Sequence, residues 1–258
     1  MIAAFADGEE SESVGTGRLA HDIGGMLMAR GTSFVVFAVL CGLISSALVG
    51  CGGEAGSDDA TDRAAELNRL RGVLSEARDL PDGFSARPRN GWRAPFQAVD
   101  EDCRLVLDAA GGRPPKRALG ARAAVTYQGD GVGELAGFGL ASYGGDDAAL
   151  HFGELAEALG GCPVARAPVA GRGTALRVSD LDLGWVGDGV QARRLNGRLN
   201  GYPYEIHLVF ALSGHTLISL VHAGVRDVDA ARTGQLARLL VDQVDQVGQA
   251  DEADEAGA

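Results

Sequence analysis

The chain has 258 residues, of which 46% are hydrophobic, and it carries 23 Lys and Arg against 35 Asp and Glu, for a formal net charge of −12. This hydrophobic fraction is enough for a packed core and excludes an intrinsically disordered chain. The excess of acidic residues excludes a nucleic-acid-binding function, because phosphate recognition needs clustered cations.

An uncharged segment, residues 31–53, lies near the N-terminus between Arg30 and Glu54. Its apolar centre has the length of the hydrophobic region of a signal peptide and is barely long enough to span a bilayer as a helix. The segment contains Leu48-Val49-Gly50-Cys51, which resembles the lipobox of bacterial lipoprotein precursors. The resemblance implies that Cys51 carries a diacylglyceryl group on its sulfur and becomes the first residue after cleavage. The alternative is an uncleaved membrane anchor in which Cys51 has no role.

Residues 1–25 do not fit a signal peptide, because they are acidic where its N-terminal region should be basic. They are interpreted as a start-site extension, with translation beginning at Met26 or Met28, and a longer genuine leader is the alternative. After Cys51, a run of Gly, Ser and acidic residues predicts a flexible tether. The predicted segments are a start-site extension (1–25), a lipoprotein signal peptide (26–50), a flexible tether (51–61), a folded domain (62–248) and an acidic disordered tail (249–258).

The four cysteines have different predicted roles. Cys41 lies inside the hydrophobic region of the signal peptide, and Cys51 is assigned to lipidation. Cys103 and Cys162 belong to a domain expected to face an oxidising compartment, so a disulfide is predicted between them. Two buried thiols or a metal site are the alternatives, although neither cysteine has a second Cys or a His at the spacing of a metal-ligand pair.

Apolar periodicity and turn residues predict four helices and six strands in the folded domain. In chain order these are a helix over 62–77, a short helix that carries Cys103, strands over 119–128 and 133–143, a helix capped by Asp146 or Asp147 and closed by Gly160-Gly161, strands near 174–181, 188–195, 202–212 and 215–224, and a helix over 227–247. The predicted fold class is α+β, an antiparallel β-sheet meander covered by helices in a single domain. One disulfide would join the two cysteine-bearing helices on one side of the sheet.

The last hairpin can be given a register from its turn residues. With Ser213-Gly214 as a two-residue loop, His207 lies opposite Leu220, and Glu205 lies opposite His222. These residues occupy the face opposite the apolar one, so a solvated hairpin face is predicted. A weak metal-binding or pH-sensing cluster of His207, His222 and Glu205 is the alternative.

Other groups of charged residues have simple interpretations. Asp180, Asp182 and Asp188 surround Trp185 in a Gly-rich stretch, which predicts a hairpin loop, with calcium binding as the alternative. Two cationic groups could contact anionic lipid or polymer or remain solvated; they are Arg193, Arg194 and Arg198, and Arg113, Lys116 and Arg117. The sequence offers no pairing of nucleophile and base and only a weak dinucleotide-loop match near Gly131. No catalytic residue, cofactor or metal site is therefore predicted.

Several of these features together resemble the extracellular sensor-like domains of actinobacterial lipoproteins and of some receptor serine/threonine kinases. They are the lipobox at Cys51, the segment Asp79-Leu80-Pro81-Asp82-Gly83-Phe84, Cys103 opening a helix, the Ala-rich strand 121–127, Cys162 after a helix, the Gly-rich four-strand half and a closing amphipathic helix. The resemblance implies an α+β sensor fold with a cleft and without catalytic residues. Kinase-type members often carry two disulfides, whereas this chain offers one.

The predicted function is that of a non-catalytic cell-envelope protein, lipid-anchored on the extracytoplasmic face of the cell membrane. Its α+β domain is expected to bind a small ligand, a lipid or a partner protein, and no nucleic acid. The alternative is a structural or accessory envelope lipoprotein without a ligand. A sizeable apolar concavity would favour ligand binding, and a filled core with an exposed apolar patch would favour the accessory role.

Overall fold

The computed structural model describes residues 55–75, 80–168, 173–184, 186, 189–225 and 228–256. Cys51 and the predicted signal peptide lie outside the described residues. The helices are α1 (Ala55–Ser75), α2 (Glu101–Ala110), α3 (Asp147–Gly161) and α4 (Ala230–Ala256). The strands are β1 (Arg89–Asn90), β2 (Leu119–Gln128), β3 (Leu135–Tyr143), β4 (Val164–Arg166), β5 (Ala175–Asp180), β6 (Val190–Leu199), β7 (Tyr202–Ser213) and β8 (Thr216–Gly224).

One antiparallel sheet contains all eight described strands, in the order β1-β2-β3-β8-β7-β6-β5-β4. The predicted α+β class and antiparallel pairing are confirmed. Strands β4 to β8 form a continuous meander, and β8 then pairs with β3, which places the β2–β3 hairpin on the far side of the sheet centre. The edge strands β1 and β4 are two and three residues long, too short to give an alternating sequence pattern.

Helices cover both faces of the sheet. Helices α2 and α3 pack on one face, where Leu107, Leu155 and Phe210 belong to the core, whereas α1 and α4 pack on the other face, with Leu74 and Leu240. Every residue of β8 is therefore buried. Residues 53–258 form one compact unit that contains both cores.

The predicted disulfide between Cys103 and Cys162 is confirmed. Cys103 lies in the first turn of α2, whose N-cap Asp100 accepts a hydrogen bond from the Cys103 amide at 3.0 Å, and Cys162 is the C-cap of α3. The two sulfurs are bonded, with the Cα atoms 4.9 Å apart. The disulfide therefore joins α2 to α3 on one face of the sheet, as predicted.

The terminal helices extend beyond their predicted ends. Helix α1 begins at Ala55 rather than Asp62, because acidic residues near a helix N-terminus interact favourably with its dipole. Helix α4 continues to Ala256 through a stretch of Ala, Glu and Asp in which the Ala and Glu residues favour helix. The described backbone of the predicted tether is thus helical from residue 55, and that of the predicted tail is helical up to residue 256.

The register predicted for the last hairpin is wrong. Ser213 pairs with Thr216, so the loop is Gly214-His215, and Gly214 has a positive φ of 52°. A two-residue hairpin turn requires this conformation at its first loop position, where glycine fits without strain. As a result, His207 lies directly opposite His222. Both residues remain on the predicted face, because each partner moves by two positions along β8.

Candidate functional site

A cleft of about 910 Å³ opens at one end of the sheet, between α1 and α4. Its floor is the end of the sheet at which β2 begins, β3 ends and the β7–β8 loop turns. The lining residues are Asp59, Asp62, Arg63, Glu66, Arg69, Gly120, Ser142, Tyr143, Gly144, Ser213, Gly214, His215, Thr216, Val244, Asp245, Gly248 and Gln249. The volume lies within the range of small-molecule sites.

The α1 wall of the cleft carries an ordered ion pair. The Arg69 Nε and Nη2 atoms donate to the two carboxylate oxygens of Glu66 at 2.7 and 2.6 Å, one helical turn apart. The hydrogen bonds from Arg69 hold the pKa of the Glu66 carboxyl below its usual value, although partial burial opposes this shift. Glu66 therefore presents a negative charge to the cleft at neutral pH.

The floor of the cleft is built from small residues. Ser142 is only 6% exposed, and Gly120 on the neighbouring strand lies beside its hydroxyl. The Ser142 hydroxyl contributes to lowering the Glu66 pKa, yet its buried Oγ completes no hydrogen bond of ordinary geometry with the described residues. The Ser142 hydroxyl therefore lies beneath the surface of the cleft, next to the Glu66 carboxylate.

The opposite wall is formed by the β7–β8 loop and the later turns of α4. The Ser213 hydroxyl donates to the Asp245 carboxylate, which ties the loop to the helix. His215 Nδ1 lies 2.8 Å from the Gly145 carbonyl oxygen, which can only accept. Nδ1 therefore carries a hydrogen and donates to that carbonyl.

The composition of the cleft determines what it can bind. Four acidic residues line it against two arginines, and apolar side chains are few. Charged and polar side chains therefore line the cleft in place of the apolar ones considered in the sequence analysis. Carboxylates and exposed glycine backbone are suited to a small ligand with hydroxyl or cationic groups rather than to an acyl chain.

A second feature, the histidine cluster, lies at the other end of the sheet and consists of His207, His222, Thr233, Glu205 and Glu134. The Thr233 Oγ1 atom lies 2.7 Å from His207 Nδ1 and 2.8 Å from His222 Nδ1. On their far sides, His207 Nε2 lies 2.7 Å from Glu205 and His222 Nε2 lies 3.0 Å from Glu134. Both histidines and Thr233 are 0% exposed.

The predicted solvated hairpin face is therefore wrong. The first turn of α4 lies over this face and inserts Thr233 between the two imidazoles. The sequence analysis brought Glu205, His207 and His222 together but missed Thr233 and Glu134, which come from α4 and from the turn before β3. No local sequence signal links these residues, because their contacts depend on the strand order.

The charges around the histidine cluster are balanced by two arginines. Arg194 lies 3.3 Å from Glu205, and Arg232 lies 3.2 Å from Glu134. Burial lowers the pKa of both His207 and His222, and the hydrogen bonds that the carboxylates of Glu205 and Glu134 accept oppose that shift.

The histidine cluster does not have the properties of an open site. Within the described residues, no three His, Cys, Asp or Glu side chains are arranged to hold a metal ion. Thr233, His207 and Glu205 follow the order of a nucleophile, base and carboxylate. However, a reactive hydroxyl must be reached by a substrate, and Thr233 is fully buried. The arrangement is that of a structural network beneath α4.

The remaining sequence candidates lie apart from the cleft. Asp182 accepts a hydrogen bond from the Gly184 amide at 2.9 Å, which is a turn interaction, and Asp180 pairs with Arg193 at 3.4 Å. Trp185 and Asp188 lie outside the described residues. Of the second cationic group, Arg113 pairs with Asp108 and Arg117 with Asp147, whereas Lys116 is exposed. Among the described helices, none is long and apolar enough to cross a bilayer.

Comparison with known proteins supports the fold. The sequence matches no family model, and it matches no curated protein significantly. The structure is similar to the crystal structure of the extracellular domain of PknH from Mycobacterium tuberculosis, with a TM-score of 0.52 and 13% sequence identity. The similarity covers 70% of this chain and 96% of that one. The described domain therefore has the overall fold of that extracellular domain.

Proposed function

We propose that this protein is a lipid-anchored cell-envelope protein whose extracytoplasmic domain binds a small polar ligand in the cleft between α1 and α4. The cleft is the observation that carries the proposal. It combines a volume of about 910 Å³ with the ionised carboxylate of Glu66, which two hydrogen bonds from Arg69 hold in place. Binding rather than catalysis is proposed, because no described hydroxyl of the cleft is hydrogen-bonded to a histidine, and the pairing of Ser213 with Asp245 ties the β7–β8 loop to α4.

The extracytoplasmic location is supported by two observations. A disulfide joins Cys103 to Cys162, and disulfides persist in oxidising compartments. The fold is also similar to that of a domain described as extracellular. The lipid anchor on Cys51 rests on the resemblance of residues 48–51 to a lipobox and is part of the proposal.

The binding proposal is tested by native mass spectrometry of protein purified from its own cell envelope. A co-purifying ligand is expected on the wild-type protein and should be lost in Gly248→Trp, which places a large side chain at the cleft wall. Gly153→Trp on α3 is the matched control, because both glycines are helical and have open space around the position of a Cβ atom. A homogeneous unliganded mass, unchanged by envelope lipids and glycans, would instead favour the accessory role.

The anchor is tested separately by labelling cells with a fatty-acid probe. The wild-type protein should be labelled and Cys51→Ala should not. Continued labelling of the variant would refute the assignment of Cys51, while leaving the binding proposal intact.

A further inference from the structure

Cations are concentrated along one edge of the sheet, although the chain as a whole is acidic. Residues 83–99 and 109–129 contain no Asp or Glu, and together they carry seven of the 23 Lys and Arg residues. These seven are Arg87, Arg89, Arg93, Arg113, Lys116, Arg117 and Arg122, and they are called the basic edge below. Their density contrasts with a net charge of −12 for the whole chain.

The fold brings the two acid-free segments together. Arg89 in β1 pairs with Thr126 in β2, and Gly91 lies against Ala124. The Arg122 guanidinium then donates to the Gly112 carbonyl at 3.1 Å, which connects β2 to the loop that carries Arg113. The basic edge therefore runs along the outer side of β2, from the start of that strand to β1.

Most of the basic edge is exposed and free of acidic partners. Arg113 and Arg117 are paired with Asp108 and Asp147. The other five are exposed and form no ion pair with the described residues; they are Arg87, Arg89, Arg93, Lys116 and Arg122. Cations on an edge strand can also serve to block strand pairing, but Arg87, Arg93 and Lys116 lie outside the strands. Protection of the edge strand therefore does not account for all five.

The start of α1 lies beside this edge. Asp59 and Asp62 line the cleft together with Gly120, which lies at the start of β2. The other end of α1 lies near the end of β2, where the Tyr127 hydroxyl donates to the Leu74 carbonyl at 2.8 Å. Cys51 precedes Ala55 by four residues, a length that spans at most about 14 Å. A lipid on Cys51 would thus keep the Lys116 end of the basic edge near the bilayer.

We propose that the basic edge is a membrane-docking surface that binds the anionic headgroups of the bilayer in which the protein is anchored. The orientation rests on the lipid anchor of the proposed function. Each cation near an anionic bilayer strengthens binding by about fivefold, and a tether raises the effective concentration further. Asp59 and Asp62 at the start of α1, and Asp108 and Asp147 beside the edge, oppose this attraction. Acidic residues farther than about 8 Å from the edge are largely screened at physiological salt.

The test uses residues 53–258 without a lipid, because this unit contains both cores and the disulfide. Binding to vesicles of zwitterionic phospholipid, with or without about 30% anionic phospholipid, is measured by co-sedimentation at about 0.05 M and about 0.5 M NaCl. Binding is expected only to the anionic vesicles and should fall steeply with salt. R89Q/R93Q/K116Q should weaken it by roughly a hundredfold.

The matched control carries the same change of charge at the opposite edge of the sheet. R166Q/R177Q/R198Q alters three exposed arginines on β4, β5 and β6, which lie far from α1 in the strand order, and should change vesicle binding by less than about twofold. Three results would overturn the proposal: equal binding to both kinds of vesicle, equal losses in the two variants, or stronger binding to a soluble acidic polysaccharide than to anionic vesicles. None of these depends on Cys51, so the fatty-acid labelling experiment remains an independent test of the anchor.

Discussion

Replacing Thr233 by valine tests the histidine cluster most directly. The side chains have nearly the same shape and similar helix propensities, so the substitution removes one oxygen and little else. That oxygen lies 2.7 Å from His207 Nδ1 and 2.8 Å from His222 Nδ1, and it donates to the Asp229 carbonyl at 3.0 Å. The Asp229 carbonyl keeps a partner, because the Thr233 amide also donates to it. The Nδ1 atoms of the two imidazoles lose the hydroxyl and gain no group in its place.

The expected magnitude follows from burial. A buried polar atom that loses its partner costs about 1–3 kcal/mol, and both histidines are 0% exposed, so water does not replace the hydroxyl. With two such atoms, Thr233→Val should lower the free energy of unfolding by about 2–6 kcal/mol. Unfolding in urea, followed by circular dichroism with the disulfide intact, measures this quantity.

Thr126→Val is the matched control. The Thr126 Oγ1 atom is buried and has no hydrogen-bond partner among the described residues, and valine suits the strand in which it lies. The control should be neutral or slightly stabilising, within about 0.5 kcal/mol. A loss below about 1 kcal/mol for Thr233→Val, or equal losses for the two variants, would refute the reasoning.

Three further predictions concern pH, the disulfide and the hairpin loop. Burial lowers the pKa of His207 and His222 from 6.5, so the folded state binds fewer protons than the unfolded chain. The free energy of unfolding should therefore fall as the pH drops below 6.5. This pH dependence, measured by urea unfolding, should flatten in H207Q/H222Q. The disulfide closes a loop with a sequence separation of 59, so the free energy of unfolding of Cys103→Ala/Cys162→Ala should be about 4 kcal/mol lower than that of the wild type. A loss below about 1 kcal/mol would contradict the loop-closure argument. Gly214→Val places a β-branched residue at a φ of 52° and should lower the free energy of unfolding in urea by about 1–2 kcal/mol. Gly214→Asn should lower it less, and equal losses would contradict the assigned turn.

Local patterns predicted most of the elements and the disulfide. The stripe of Leu67, Leu70 and Leu74 marks α1, and the predicted strand 119–128 matches β2. Such signals are contained within one element, so they can be identified without knowing its neighbours. The cysteine assignment depended on context in the same way, because only Cys103 and Cys162 remained in the folded domain.

The cleft and the histidine cluster required information that no local pattern contains. Alternation along β7 and β8 predicted one apolar and one solvated face. However, strands at the centre of a sheet that has helices on both sides are buried on both faces. Once α4 lies over that face, its polar residues must find partners inside the protein, and Thr233 supplies one hydroxyl to both histidines. The contact between His222 and Glu134 arises only because β8 pairs with β3 across 88 positions of sequence. The same crossover brings the β7–β8 loop beside the start of β2 and thereby forms the floor of the cleft. Both features follow from the order of the strands, which is why residues that looked ordinary in sequence occupy the two polar sites of the domain.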